Sequence, residues 1–369
     1  MERDKRLSHL SLVLRVGILL TLSVSIFAQS GRKPSGSTQQ QQEKPIARIE
    51  TKEVIVPLTA YDADGALVSD LTPKDVLVLE DGESRPVSYL RHEPANIVLI
   101  IDSSNEIGTF KNGESQRKPK EPVELWKQQR YEIMPRPTAR EFADNLVSKL
   151  SPADQIAIIQ YADRVNLMQD WTRDRGQALT ALQSKFRVGL RASYFDALKL
   201  AAEKLEKCPT GRRVVVLVSD GLDTNSKATR RQAMMALEKA RAIVFVVGWS
   251  EVVRNEIEFA ANWIGAHESA NTSTAKRVAE LRRHLLKLDS SAVELRALAE
   301  TSGGEIWLPE SHDKLVASNK DVASEIGAQY SLAFITETKP SLDNRRLIQV
   351  FAARRGLSVR SSRSYYIGD

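Results

Sequence analysis

The stretch IVLIIDSSNEIG, residues 97–108, decides the fold, because a continuous apolar run ends abruptly in acidic and hydroxyl side chains. Runs rich in Val and Ile without alternation are typical of strands that are covered on both faces, as in a parallel sheet. Three more runs of this kind follow, at 156–161, 214–218 and 243–247. The pattern places Asp102 at the carboxyl end of a buried strand.

Amphipathic segments lie between these runs, at 139–150, 177–186, 194–205 and 228–241. Their apolar residues recur with the helical period, which predicts helices. The alternation between 96 and 326 predicts an α/β fold with a doubly wound, mostly parallel sheet flanked by helices. Two stretches look inserted into it: a polar, proline-containing loop at 107–137, and a mostly helical segment at 250–290 with a break near 269–271.

The two ends of the folded region have a different pattern. Short alternating apolar stretches with Asp-Gly turns occupy 46–95, and strand-like runs return in 327–369. Alternating runs joined by such turns predict antiparallel strands. Neither end has enough strands to close a core alone, so we expect the two to pair in one small antiparallel β unit.

The amino terminus predicts export. Residues 1–28 begin with basic side chains and continue into an apolar run at 16–27, which is typical of a signal peptide cleaved near Ala28-Gln29. About 12 apolar residues are short for a membrane span of ~20, although an uncleaved anchor is the alternative. Residues 29–45, rich in Ser, Gly, Pro and Gln, predict a flexible linker. We expect a secreted or periplasmic protein without a membrane span after cleavage.

Composition argues against several functional classes. The 53 basic and 47 acidic residues give a net charge of +6, so the surface is mixed and lacks the basic stripe of a nucleic-acid binder. Cys208 is the only cysteine, which excludes an intramolecular disulfide. The chain has no Gly-x-Ser-x-Gly elbow, His-Glu-x-x-His motif or phosphate-binding loop, so we predict that it is not an enzyme.

Acidic residues follow two of the predicted parallel strands. Asp102 ends the first, and Asp220 follows the strand at 214–218. Ligands of open α/β sheets bind beyond the carboxyl ends of the strands, so these side chains are expected to face one cleft. Two carboxylates with nearby hydroxyls suit a hard cation such as Mg²⁺. The alternative is that each acidic residue only caps the following helix.

The motifs Asp102-Ser103-Ser104-Asn105-Glu106 and Ser219-Asp220-Gly221 resemble the metal-ion-dependent adhesion site of the von Willebrand factor A (VWFA) domain. The lead-in at 56–82 and the closing motifs at 298–304 and 329–334 resemble a narrower group, the secreted bacterial proteins with a VWFA-related domain. The resemblance implies a doubly wound fold. It also implies adhesion to a protein or cell-surface ligand, of unknown identity, through a bound metal ion.

The matches to that site are incomplete. Asp102, Ser104 and Asp220 occupy family positions, but Glu106 stands where the family has a second serine. The resemblance therefore implies a degenerate site, in which Glu106 either coordinates the cation itself or marks the loss of the metal.

A second loop also departs from the family pattern. Ala192 stands where a threonine is expected, with Ser193 one place along. The candidate metal ligands are therefore Asp102, Ser104, Glu106, Ser193 and Asp220, with Mg²⁺ as the expected ion and Ca²⁺ or Mn²⁺ as alternatives. Arg191 is the alternative source of positive charge if no cation binds.

Three functions stay open at this point. The first is an exported module that binds a protein or surface ligand, with the degenerate site at the contact. The second is a metal-independent structural or scaffold protein whose site is silent. The third, less favoured by the motifs, is a metal-assisted hydrolase that uses the same acidic cleft.

Overall fold

The computed structural model describes residues 51–104, 136–208, 210–267, 272–337 and 344–367. The predicted signal peptide, the linker and nearly all of the loop at 107–137 lie outside these ranges. All the described residues belong to one compact unit, Ile49–Asp369. None of the described helices is long and apolar enough to cross a membrane.

Fourteen strands are defined within the described ranges. They are β1 (Thr51–Tyr61), β2 (Val76–Glu80), β3 (Glu83–Arg85), β4 (Val87–Arg91), β5 (Ala95–Asp102), β6 (Gln155–Tyr161), β7 (Val165–Thr172), β8 (Arg212–Ser219), β9 (Ile243–Gly248), β10 (Ile306–Trp307), β11 (Tyr330–Glu337), β12 (Arg345–Ala352), β13 (Ser358–Ser361) and β14 (Ser364–Tyr366).

Eight α-helices are defined in the same ranges. They are α1 (Arg136–Lys149), α2 (Arg175–Lys185), α3 (Tyr194–Glu206), α4 (Arg230–Lys239), α5 (Ser250–His267), α6 (Thr272–Ser302), α7 (His312–Ala317) and α8 (Asn319–Ala328). The predicted helices correspond to α1–α4, and the segment predicted at 250–290 forms α5 and most of α6, which continues to Ser302.

The central sheet has six strands in the order β10-β9-β8-β5-β6-β7. The four apolar runs predicted as parallel strands are β5, β6, β8 and β9, and they do pair in parallel. β10 adds a short parallel edge, and β7 pairs antiparallel to β6 at the other edge. The fold class predicted from the sequence, an α/β fold with a mostly parallel sheet, is confirmed.

Helices cover both faces of this sheet, which explains the continuous apolar runs. Ile97, Leu99 and Ile101 point into one core with residues of α1, α2, α5 and α7. Val98 and Ile100 point into a second core on the opposite face with residues of α3 and α4. The long helix α6 contributes to both cores. Successive side chains of a strand alternate between faces, so both sets must be apolar.

Two four-stranded antiparallel sheets combine both ends of the folded region, in the orders β13-β1-β11-β4 and β14-β12-β2-β3. Val54 of β1 lies opposite Phe334 of β11, and Val78 of β2 lies opposite Val350 of β12. Both sheets contribute to a third core, which contains the fully buried Leu58. Strands from each end share this core because neither set alone could cover its own apolar face.

Candidate metal and ligand-binding site

The candidate site lies where β5 and β8 end. These strands pair in parallel with Ile101 opposite Val218, so the residues that follow both strands emerge at the same edge of the sheet. Asp102 is the last residue of β5, and Asp220 comes directly after β8. The topology therefore places the two carboxylates on neighbouring strand ends, as expected for a ligand-binding edge.

Asp102 is held by its own loop. Its side chain is only 1% exposed. Its Oδ1 atom accepts hydrogen bonds from the backbone N–H of Ser104 (2.8 Å) and from the Ser104 hydroxyl (2.7 Å). A short side chain that accepts from the backbone two residues on forms a local turn, which fixes the direction in which the chain leaves the strand. Asp102 and Ser104 are thus brought together directly.

Tyr161 is a site residue that the sequence analysis missed. It ends β6 opposite Asp102, and its side chain is fully buried. Its hydroxyl donates to Oδ2 of Asp102 at 2.9 Å and lies 2.6 Å from the Ser219 hydroxyl. The tyrosine therefore links the ends of β5, β6 and β8. The position of Tyr161 at the end of a predicted parallel strand was the signal available in the sequence, but it did not show which strand lies next to β5.

The negative charges of the site act on two buried tyrosines, Tyr161 and Tyr194. Burial raises the pKa of Tyr161 well above its usual value, and Asp102 and Asp220 raise it further. Burial is also the main reason for the raised pKa of Tyr194, to which Glu294, Asp220 and Asp102 add. The rings of Tyr161 and Tyr194 are 6.0 Å apart. The carboxylates thus create a region of negative potential around the tyrosine pair.

The loop after β8, which begins with Asp220 and is called the third loop below, is packed against α6. The Leu222 N–H donates to Oδ1 of Asp220 at 2.9 Å, and the Ser291 hydroxyl donates to the Asp220 carbonyl at 2.6 Å. Gly221 has a φ of +78°, and a Cβ there would lie 2.8 Å from Cγ of Leu295. Glycine is therefore required both by the backbone conformation and by the close approach of the helix.

The second loop supplies fewer oxygen atoms than the family pattern. Ala192 is fully buried, and its carbonyl accepts from the N–H groups of Thr224 (3.0 Å) and Asn225 (2.9 Å). The hydroxyl of Ser193 accepts from the Asn225 side chain at 3.1 Å. The hydrogen bonds of Ser193 thus join the second loop to the third, without a bond to Asp102 or Ser104 among the described residues.

Glu106 and Arg191 were also considered in the sequence analysis, as a ligand and as an alternative source of positive charge. Glu106 lies outside the described residues. Arg191, the alternative source of positive charge, bonds instead to Asp163: its Nε lies 3.4 Å and its backbone N–H 3.1 Å from that carboxylate. The pair is exposed to solvent, so its contribution to stability is small.

The chemistry of the donors fits a hard divalent cation. Asp102, Ser104, Ser193 and Asp220 offer only oxygen atoms, which Mg²⁺, Ca²⁺ and Mn²⁺ prefer. The converging negative charge at the tyrosine pair also favours a cation. Among the described residues, however, no three His, Cys, Asp or Glu side chains form a group that could hold a metal. Glu106 is the one predicted carboxylate that this observation does not include.

Comparisons with known proteins agree with the fold. The profile of the von Willebrand factor type A domain matches residues 96–282, half of the chain. No significant match occurs among curated proteins.

Solved structures give weak similarities. A von Willebrand factor type A protein from Catenulispora acidiphila is 9% identical, with 86% of this chain and 74% of that chain covered and a TM-score of 0.40. Proximal thread matrix protein 1 from the mussel byssus, with a zinc-occupied MIDAS motif, is 14% identical over 67% of this chain, with a TM-score of 0.41. The chain covers 49% of that mussel protein, about half of its length.

Proposed function

The chain belongs to the von Willebrand factor type A domain family, and we propose that it is an exported module that binds a protein or surface ligand at the carboxyl edge of its central sheet. In this proposal a divalent cation, with Mg²⁺ favoured over Ca²⁺ and Mn²⁺, takes part in the contact. The partner is a protein or a cell-surface ligand rather than a nucleic acid, because the chain lacks a basic stripe.

One observation carries the proposal: Asp102 and Asp220 follow neighbouring parallel strands, and both charges act on Tyr161 and Tyr194. Two carboxylates that act on one small region repel each other, and a bound cation relieves that repulsion.

The residues of the site have separate roles in this proposal. Asp102, Ser104 and Asp220 would hold the cation, and Glu106 and Ser193 are the further candidates. The cation would supply a positive centre for an acidic group of the partner. Tyr161 orients Asp102 by donating to Oδ2, and Ser104 does the same at Oδ1.

A second candidate function is a metal-independent scaffold. It is favoured by the hydrogen bonds of Asp102, because Ser104 and Tyr161 already occupy both of its carboxylate oxygens. Ala192 also offers no side-chain oxygen where the family pattern has a threonine. In this alternative the ligand contacts the face of the domain without a cation.

We propose no catalytic role, since the sequence has no Gly-x-Ser-x-Gly elbow, His-Glu-x-x-His motif or phosphate-binding loop. Turnover of a panel of phosphoesters or peptides by the full chain would contradict this.

For export, amino-terminal sequencing of the native protein should find a chain that begins near Gln29. Intact Met1 on protein from the cytoplasm would contradict it.

The decisive experiment for binding is a pull-down from native envelope with the full chain as bait, in Mg²⁺ and in chelator. We expect a partner that is retained in Mg²⁺, released by chelator, and not captured by Asp102→Asn. Asp170→Asn is the matched control, because Asp170 is an exposed aspartate on β7 that pairs with Lys204. Capture that is equal in chelator and with Asp102→Asn would favour the scaffold instead.

A further inference from the structure

A cavity of about 260 Å³ lies between helices α4 and α6 and strands β1 and β14, and Tyr194 is among its lining residues. Its wall is mostly apolar and includes Pro57, Met234, Leu237, Leu298 and Tyr365. For comparison, an engineered apolar cavity of about 150 Å³ binds benzene. The space is therefore large enough for a small organic molecule with an apolar body.

The charged groups along this cavity are unevenly paired. Arg230 lies 3.4 Å from Glu294, and Arg345 lies 2.6 Å from Glu238. These two pairs account for both acidic side chains of the lining. Arg241 is the remaining cation, so the wall carries one positive charge without a counter-charge.

Arg241 has only weak partners within the described part of the chain. Its Nη2 donates to the Tyr366 carbonyl at 3.4 Å, and its guanidinium lies 5.4 Å from the centroid of the Tyr365 ring. None of the described carboxylates forms an ion pair with it. Burial lowers the pKa of Arg241; Tyr365 partly offsets this effect, and the positive charge of Arg213 adds to it. A half-buried cation beside another cation is stabilised by an anion.

The backbone at this position is also unusual. Arg241 follows helix α4 with a φ of +52°, in the left-handed region where glycine is the usual residue. A non-glycine residue is disfavoured in that region, so the preference of the backbone does not explain why residue 241 is an arginine. This agrees with a role for its guanidinium at the cavity wall.

From these observations we propose that the cavity binds a small amphiphilic monocarboxylate, with its carboxylate on Arg241 and its apolar body against Met234 and Leu298. One unpaired positive charge matches a single negative charge. The planar guanidinium presents parallel N–H groups that suit a carboxylate. A mostly apolar wall with a few placed polar groups is the usual form of a small-molecule site. This inference is independent of the function proposed for the sheet edge.

The test is isothermal titration of the full chain with octanoate, and with 1-octanol as the uncharged analogue. Arg241→Gln should weaken octanoate binding by at least about tenfold, because it removes the charged anchor. It should change 1-octanol binding by less than about threefold. Arg231→Gln is the matched control, since Arg231 is an exposed arginine of the same helix outside the cavity lining, and it should bind octanoate like wild type.

A second variant tests whether the compounds bind in this cavity, without changing the charge of Arg241. Ala297 lies on the exposed side of α6 at the cavity lining. Ala297→Trp should fill the space and abolish binding of both compounds, with little effect on folding. The proposal is wrong if wild type shows no saturable octanoate binding, or if Arg241→Gln or Ala297→Trp binds as tightly as wild type. Equal losses of octanoate and 1-octanol in Arg241→Gln would also overturn it.

Discussion

Substitution of Tyr161 by Phe tests how the candidate site is held together. The change removes one hydroxyl and leaves the ring in the core. That hydroxyl donates to Oδ2 of Asp102, which is 1% exposed, and contacts Ser219 at 2.6 Å. Hydrogen bonds to charged groups contribute about 1.5–3 kcal/mol. Because Ser104 still holds Oδ1, we expect the free energy of unfolding to fall by about 2 kcal/mol.

The assay is urea unfolding at neutral pH in the presence of chelator, followed by circular dichroism and by tryptophan fluorescence. Tyr194→Phe is the matched control. Tyr194 is also a buried tyrosine and packs 6.0 Å from Tyr161, but its hydroxyl has no hydrogen-bond partner among the described residues. We expect this control to lose less than about 0.5 kcal/mol, in the range of substitutions that break no specific interaction.

Addition of Mg²⁺ gives the second part of the same experiment. Tyr161→Phe leaves Oδ2 of Asp102 without its donor, so a cation gains access to that oxygen. Mg²⁺ should therefore stabilise the variant more than it stabilises wild type, by mass action on the folded state. The reasoning is refuted if Tyr161→Phe and Tyr194→Phe have equal stabilities in chelator, or if Mg²⁺ stabilises neither wild type nor Tyr161→Phe.

Three further predictions concern Glu106 of the candidate metal site, the buried His284 and the terminal strands. Glu106→Ser should weaken Mn²⁺ binding, measured by titration, because it removes a candidate carboxylate ligand; tighter binding would mean that Glu106 blocks the site. Burial lowers the pKa of His284 to about 4. As the pH falls, His284 is therefore protonated in the unfolded state before it is protonated in the folded state, and the free energy of unfolding should decrease between pH 6.5 and pH 4 by at most about 3 kcal/mol. His284→Gln should flatten this pH dependence, as measured by urea unfolding. An unchanged slope would exclude His284 as the cause. Deletion of residues 341–369 removes β12, the partner of β2, and should make residues 51–91 accessible to limited proteolysis. Deletion of residues 368–369 is the control and should not. Equal protection of the two shortened chains would contradict the shared core.

The sequence predicted the central sheet well because its signal is local. Each parallel strand is covered on both faces, so a run such as 97–101 must be apolar throughout, whatever its neighbours are. β7 was missed because it is an edge strand with polar residues on one face, and its only fully buried position is Met168. Short, half-exposed strands carry little periodic signal.

The site was predicted only in part. Asp102 and Asp220 could be placed at one edge because parallel strands end on the same side. The bond from Tyr161 to Asp102 could not be predicted, since it depends on strand order and on a pairing 59 positions apart in the chain. The unpaired charge of Arg241 depends in the same way on Arg230 and Arg345 taking the nearby acids. Such contacts come from tertiary packing and leave no local pattern.

The central claim, that the edge formed by Asp102 and Asp220 holds a divalent cation, is tested most directly by electron paramagnetic resonance of Mn²⁺ added to the full chain. Free Mn²⁺ has a strong signal that weakens on binding, so the number of bound ions can be counted. The account predicts one saturable site that Mg²⁺ displaces and that Asp102→Asn loses, while Asp170→Asn keeps it. No saturable binding by wild type, or equal binding by Asp102→Asn, would contradict it.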